Sequence, residues 1–288
     1  MEDSIKISVI VPIFNGENFI KRCIEILKSQ NFKDKWEILF IDDASTDSSR
    51  KIIEDIKLKN FKSYYLKENS GQSVARNLGI LKAKGEYIYM IDVDDLLSKD
   101  SLNKLYNVAK KNNSDIVFSD FQRIENSENQ REGKFNYSSD RFFDYNDITL
   151  AMFNELSDTS LGHLGLFGCN GRLIKRSKLI ENKILFEEKL RLMEDKIFGW
   201  NILSVCKNAS YIRDQLYSYY VYPDRNTAIT DSLNFGFNLK TVKLILTHIT
   251  ECFKRRNISN DDLSKYRNQG LIFFTIHALI TITRPMFL

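Results

Sequence analysis

Residues 87–98 read YIYMIDVDDLLS, and this stretch decides the fold. Five apolar residues in succession run straight into Asp92, Asp94 and Asp95. A short, continuous apolar run suits a strand covered on both faces, as in a parallel sheet. Carboxylates crowded at the tip of such a strand repel one another unless a cation or hydrogen-bond donors sit among them. The stretch therefore predicts a buried strand whose carboxyl end carries chemistry.

Working outward, ISVIVPIF (7–14), WEILFIDD (36–43), SYYLKE (63–68) and DIVFSDF (115–121) share the same short, β-branched or aromatic character. Helical patterns at 17–30, 45–59, 72–84 and 99–112 separate them. Ser45, Thr46 and Asp47 read as caps for the second helix, and Gly79 as the point where the third approaches the sheet closely. This order predicts an α/β fold: an open, mostly parallel sheet flanked by helices, with right-handed crossovers. The polar, irregular segment 122–145 marks a boundary or insertion, dividing the chain into 1–121, 122–230 and a helical C-terminal extension at 231–288. In 239–256, apolar positions 242, 245, 246, 249, 252 and 253 share one helical face, with basic residues elsewhere.

The bulk composition excludes several classes. The 288 residues carry a net charge of only +4, with acids and bases interleaved, so no nucleic-acid partner is expected. Cys23, Cys169, Cys206 and Cys252 lie far apart, which argues against a zinc site or disulfide framework and fits a reducing cytoplasm. His163, His248 and His277 have no ligand spacing. The N-terminus has acids before its apolar run and no basic region, so no leader peptide is expected. The apolar run at 271–283 falls short of the ~20 residues that span a bilayer.

In an open α/β sheet, ligands bind beyond the carboxyl ends of the strands. Here those ends carry Asn15, then Asp42 and Asp43, then Asp92, Asp94 and Asp95. Such hard oxygen ligands suit Mg²⁺ or Mn²⁺, which in turn would hold a phosphate. Strand alternation puts Asp92 and Asp94 on one side. Asp94 is the first choice as metal ligand, with Asp92 addressing ribose and metal and Asp95 the second choice.

Four ordered blocks, SVIVPIFNGENFI (8–20), IDDASTDSS (41–49), NSGQSVARNLGI (69–80) and GEYIYMIDVDD (85–95), together resemble the nucleotide-sugar-binding half of a family 2 glycosyltransferase with the GT-A fold. A looser likeness continues through 168–203, similar to the acceptor side of bacterial capsule, O-antigen and lipooligosaccharide transferases. The resemblance implies that Pro12, Phe14 and Asn15 form the first nucleotide loop and that Asp43 meets the base. It leaves Asp42 either in direct contact or as a cap, and places Arg76 near the phosphates or as an organiser of the acidic cluster. Asp92 and Asp95 would face the donor and Asp94 the metal, while Asp195, in LRLMEDKIFGWNIL, would be the base that deprotonates an acceptor hydroxyl.

The implied activity is inverting and metal-dependent, moving sugar from a nucleotide sugar, UDP-linked by preference, to a saccharide or lipid-linked oligosaccharide in surface polysaccharide synthesis. The implied location is the cytoplasm at the inner face of the membrane, with the C-terminal helices docking there, packing on other helices or forming a dimer. A nucleotidyltransferase would need a Gly-rich basic loop after the first strand, and a dinucleotide-dependent dehydrogenase would need GxGxxG. VPIFNGENFI supplies neither. A non-catalytic scaffold on the same fold would be expected to lack the carboxylates, yet Asp43, Asp92, Asp94 and Asp195 are all present.

Overall fold

A computed structural model describes residues 4–124, 130–133, 137–157, 168–190, 193–220 and 239–258. Its elements, in chain order, begin with β1 (Ile7–Ile13), α1 (Glu17–Lys28), β2 (Trp36–Asp42), α2 (Ser49–Glu54), β3 (Phe61–Tyr65), α3 (Gln72–Lys82), β4 (Tyr87–Met90), β5 (Leu96–Leu97) and α4 (Ser101–Asn112). They continue with β6 (Ile116–Ile124), β7 (Gln130–Gly133), β8 (Arg141–Phe143), α5 (Tyr145–Ser157), β9 (Leu173–Lys175), α6 (Arg176–Glu181), α7 (Glu194–Val205), β10 (Ala209–Tyr220) and α8 (Leu239–Arg255).

All seven residues of β1 are buried, because the strand is central and has helices on both faces. Ile10 packs with Leu39, Ile41, Ile88 and Met90 in one core. Val9 and Val11 pack with Ile38, Phe40, Tyr87 and Tyr89 in the other. Two covered faces leave no polar side to a strand, which is why these segments read as unbroken apolar runs. At Gly79 a Cβ would stand 2.4 Å from Ile10 Cγ2, so the absent side chain is what lets α3 lie close to β1.

The sheet order is β3-β2-β1-β4-β9-β6-β10-β5, with β7 on β6 and β8 on β10. The first four strands are parallel to one another, and β6 is parallel to β10. Between the two parallel groups, β9 runs antiparallel to both β4 and β6. Three residues are too few to carry a periodic signal, so the sequence offered no hint of β9. The long strand β10 pairs with β6 but breaks register between Ile212 and Tyr217.

One further expectation changes. The second helix spans only Ser49–Glu54, because the residues before it serve the neighbouring loop. Ser45 Oγ accepts from the Asn15 amide at 3.0 Å, and Asn15 Oδ1 accepts from the Thr46 amide at 2.8 Å. Of the three expected caps only Asp47 works at helix ends, accepting from the Ser49 amide at 2.9 Å and the Glu17 amide at 3.1 Å.

For α8, of the three expected uses of its apolar face (a membrane, a second copy or plain helix packing), the structure shows packing within the chain. Ile245, Ile249, Cys252 and Phe253 are buried, and Phe253 meets the Trp200 ring edge-on at 5.5 Å. Arg256 donates to the carbonyls of Leu203 and Cys206 and lies over the Tyr145 ring. Among the described residues, no helix is long and apolar enough to cross a membrane.

Candidate active site

The carboxyl ends of β1, β2 and β4 lie side by side because the three strands are parallel neighbours. The loops after β1 and β2 are laced together through Asn15, Ser45 and Thr46, and the Gly16 amide donates to Ser49 Oγ at 2.8 Å. Asn15 takes a left-handed backbone (φ 51°), a conformation asparagine tolerates better than most residues. Pro12 is buried in β1, while the Phe14 ring beside it is exposed, free to stack on a planar ligand.

Asp43 is buried at the end of β2, and its two carboxylate oxygens accept from the amides of Ser70 and Gly71 at 2.8 Å each. It thereby seats the N-terminus of α3 beside the strand end. Burial pushes its carboxyl above the usual range, and the two amide bonds only partly offset that effect. Asp42 is also buried, and Oδ1 accepts from the Ser45 amide at 3.4 Å, the geometry of a turn cap.

Beyond β4 the aspartates divide. Exposure alternates from Ile91 to Leu97, leaving Asp92 and Asp94 half-buried on the accessible side and Asp95 buried. The Asp92 carboxylate accepts from Gln72 Nε2 at 3.0 Å, Arg76 Nη2 at 2.9 Å and Asn170 Nδ2 at 2.8 Å. Arg22 donates to the Asp94 carbonyl at 2.6 Å and fixes the turn from behind.

Asp95, expected to face the donor, instead lies wholly inside. Its carboxylate accepts from the Tyr217 hydroxyl and from the Tyr220 amide at 3.2 Å. Burial, then the nearby Asp92, raises its carboxyl well above the ordinary range, with Asp94 adding to the effect. The two bonds to β10 make Asp95 a tether between the acidic turn and that strand.

A cleft of about 390 Å³ opens beside this turn. Arg76 and Asp92 line it together with Asn170, Arg172, Glu194, Asp195 and Tyr217. Asp195 and Glu194 begin α7, whose position is set by Asn77: this buried side chain donates to the Phe186 carbonyl and accepts from the Phe186 amide. Phe186 then stacks flat on Phe198 of α7 at 4.0 Å. A helix N-terminus favours negative charge, but for Glu194 burial wins. Its carboxyl is pushed up to about 7 by desolvation and by the adjacent Asp195.

The structure thus gathers Arg76, Asp92 and Asp195 around one cleft, while Pro12, Phe14, Asn15 and Asp43 stand at the adjoining strand ends. The sequence reading gave no role to Gln72, Asn170, Arg172 or Tyr217. The polar residues of GCNGRLIKR were the available signal for Asn170 and Arg172, but nothing in them indicated contact with Asp92. His248 faces Glu187 at 3.4 Å, away from the cleft lining, and His163 and His277 lie outside the described residues.

The acidic turn fits a hard divalent cation in one specific way. Among the described residues, no group of three or more His, Cys, Asp or Glu is placed to cage an ion. Mg²⁺-type ions need only one or two carboxylates when phosphate oxygens and water complete the shell. A carboxylate can accept about four hydrogen bonds. Asp92 has three, which leaves it room for one further ligand.

Comparison with known proteins follows the same lines. The sequence model of glycosyl transferase family 2 matches residues 8–181. The poly(ribitol-phosphate) beta-glucosyltransferase of Bacillus spizizenii is 33% identical over 227 residues, covering 76% of this chain and 33% of that protein. The poly(ribitol-phosphate) beta-N-acetylglucosaminyltransferase TarP of Staphylococcus aureus is 33% identical over 222 residues, covering 75% of this chain and 62% of TarP. The matched part thus spans between a third and just under two thirds of these relatives. The crystal structure of a Staphylococcus aureus TarS fragment with UDP-GlcNAc superposes with a TM-score of 0.66 at 19% identity, covering 92% of this chain and 79% of that one. The fold is therefore of the GT-A type.

Proposed function

The chain belongs to glycosyl transferase family 2, and from that premise we propose that it is an inverting, metal-dependent glycosyltransferase. It moves a sugar from a nucleotide sugar, UDP-linked by preference, to a saccharide or polyol-phosphate acceptor in surface polysaccharide synthesis. The observation that carries the reading is the convergence of Arg76, Asp92 and the Glu194–Asp195 pair, from three separate parts of the chain, on one cleft beside the carboxyl ends of parallel strands. The relatives' activities on poly(ribitol-phosphate) and the UDP-GlcNAc held by TarS support the choice of donor and acceptor class.

In this reading, Phe14 stacks on the base, and Asn15 and Asp43 keep the base-binding loops in place. Asp94 and Asp92 would hold Mn²⁺ or Mg²⁺, which when bound supplies positive charge to the departing diphosphate. Arg76, fixed by its bond to Asp92, adds a second positive group on the phosphate side. The Asp195 carboxylate takes the proton from the acceptor hydroxyl. That oxygen attacks the anomeric carbon from the face opposite the leaving group, and the bond to the diphosphate breaks in the same displacement. An α-linked donor then gives a β-linked product. Glu194, close to half-protonated at neutral pH, limits the negative charge around Asp195 when the anionic donor enters. Asp95 acts through position alone, tying the acidic turn to β10.

The test is binding of a panel of nucleoside diphosphates and nucleotide sugars, with and without Mn²⁺, to wild type and Asp94→Ala. Metal-dependent binding of UDP and one UDP-sugar, lost in the variant, is the expected result. Absence of any nucleotide binding under every metal condition overturns the assignment and leaves a scaffold on a transferase fold.

A further inference from the structure

Two guanidinium groups line the cleft, and they differ in one respect. Arg76 is buried but neutralised, with Nη2 at 2.9 Å from Asp92. Arg172 is 7% exposed and forms no ion pair among the described residues. Among the described residues its one hydrogen bond runs from Nη1 to the Asn170 carbonyl at 3.0 Å, and its buried Nε, like that of Arg76, has no partner there. Burial lowers its pKa to about 10, a shift that the charge of nearby Asp195 only partly opposes.

A buried cation left without a counter-ion is unfavourable, and proteins pair such groups. Here the unpaired face belongs to a residue in the wall of the ligand cleft. Asp195 contributes a favourable field at Arg172 but no hydrogen bond. The guanidinium is planar, always charged at neutral pH and matched to the oxygens of a phosphoryl group. The loop bearing it is built tightly. Gly168 stands where a Cβ would lie 3.2 Å from Arg172 Nη1, and Gly171, at φ +72°, stands where a Cβ would lie 2.9 Å from the Tyr217 ring. Gly168 leaves room for the guanidinium, and Gly171 lets the loop lie against Tyr217 in the cleft wall.

We propose that Arg172 is a phosphate-binding residue of this cleft, its unpaired donors receiving a phosphoryl oxygen of the bound ligand. The inference rests on the transferase reading for the ligand class but not for the buried guanidinium without an ion pair. Two sources carry this chemistry: the diphosphate of the donor and the phosphodiester of a polyol-phosphate acceptor.

The experiment is calorimetric titration of wild type, Arg172→Gln and Arg172→Lys with uridine, UMP, UDP, inorganic pyrophosphate and glycerol phosphate. Thermal unfolding of each variant verifies the fold. The expected result is a tenfold or greater loss of affinity for UDP and pyrophosphate in Arg172→Gln, with uridine binding unchanged and partial recovery in Arg172→Lys. If only glycerol phosphate loses affinity, the phosphate site stands and its source is the acceptor. An equal loss for uridine and UDP assigns Arg172 to loop structure through Asn170 and overturns the proposal, as does unchanged affinity for every phosphate. Should wild type bind pyrophosphate or glycerol phosphate but no nucleoside or nucleotide, the transferase reading fails, while Arg172 is still judged by those two anions.

Discussion

Replacing Gly171 with alanine tests how the cleft is assembled. The residue has φ +72°, a region that costs an L side chain about 1–2 kcal/mol. The new Cβ would stand 2.9 Å from Cγ and 3.1 Å from Cβ and Cδ2 of Tyr217. That ring is buried and its hydroxyl is bonded to Asp95, so it cannot swing aside freely. Overpacking of this kind costs about 1–3 kcal/mol. Together the two effects predict a loss of about 2–5 kcal/mol, read as a lower urea midpoint with an unchanged m-value. Repeating the substitution in a Tyr217→Ala background removes the contacts with the ring and leaves the backbone part and the contact with the Cβ of residue 217, so the two changes are coupled. A loss below about 1 kcal/mol, or the same loss with and without the Tyr217 ring, would refute the reasoning.

Other substitutions probe separate links. Asp195→Asn should lower kcat by about 10²–10⁴ while donor binding is kept; unchanged turnover rules out Asp195 as the base. Glu194 has its folded carboxyl raised to about 7 from 4.5, so its contribution is fully present below about pH 4.5 and is lost as pH rises through 7. Glu194→Gln should therefore gain on wild type by up to about 3 kcal/mol between pH 5 and pH 8. An equal stability difference at both pH values contradicts this. In Gly79→Ala, a helix-propensity gain of about 1 kcal/mol meets a Cβ 2.4 Å from Ile10 Cγ2. Net destabilisation is expected in chemical unfolding, and a more stable variant would show that α3 can move away from β1.

Much of this site was legible because its signals are local. Strands covered on both faces announce themselves as apolar runs, and the parallel order follows from alternation with helices. A carboxylate at the end of such a run lies at a sheet edge, which is why Asn15, Asp43, Asp92 and Asp94 could be gathered from spacing alone. The direction of each side chain was not local. Asp94 and Asp95 are adjacent, yet one is half-buried on the accessible side and the other is enclosed by Tyr217 and Tyr220, more than a hundred residues away.

Local pattern was enough for the α/β class, the central strands, the acidic strand tips and the family likeness, since each depends on residues near one another in the chain. It took the folded chain to show that β9 joins two parallel groups, that α8 buries its apolar face on α7, and that Asn170 and Arg172 stand in the same cleft as Asp92 and Asp195. The difference is one of range. Hydrophobic periodicity and capping act over a few residues, whereas burial, pairing and charge neutralisation depend on which distant segments the folded sheet brings into contact.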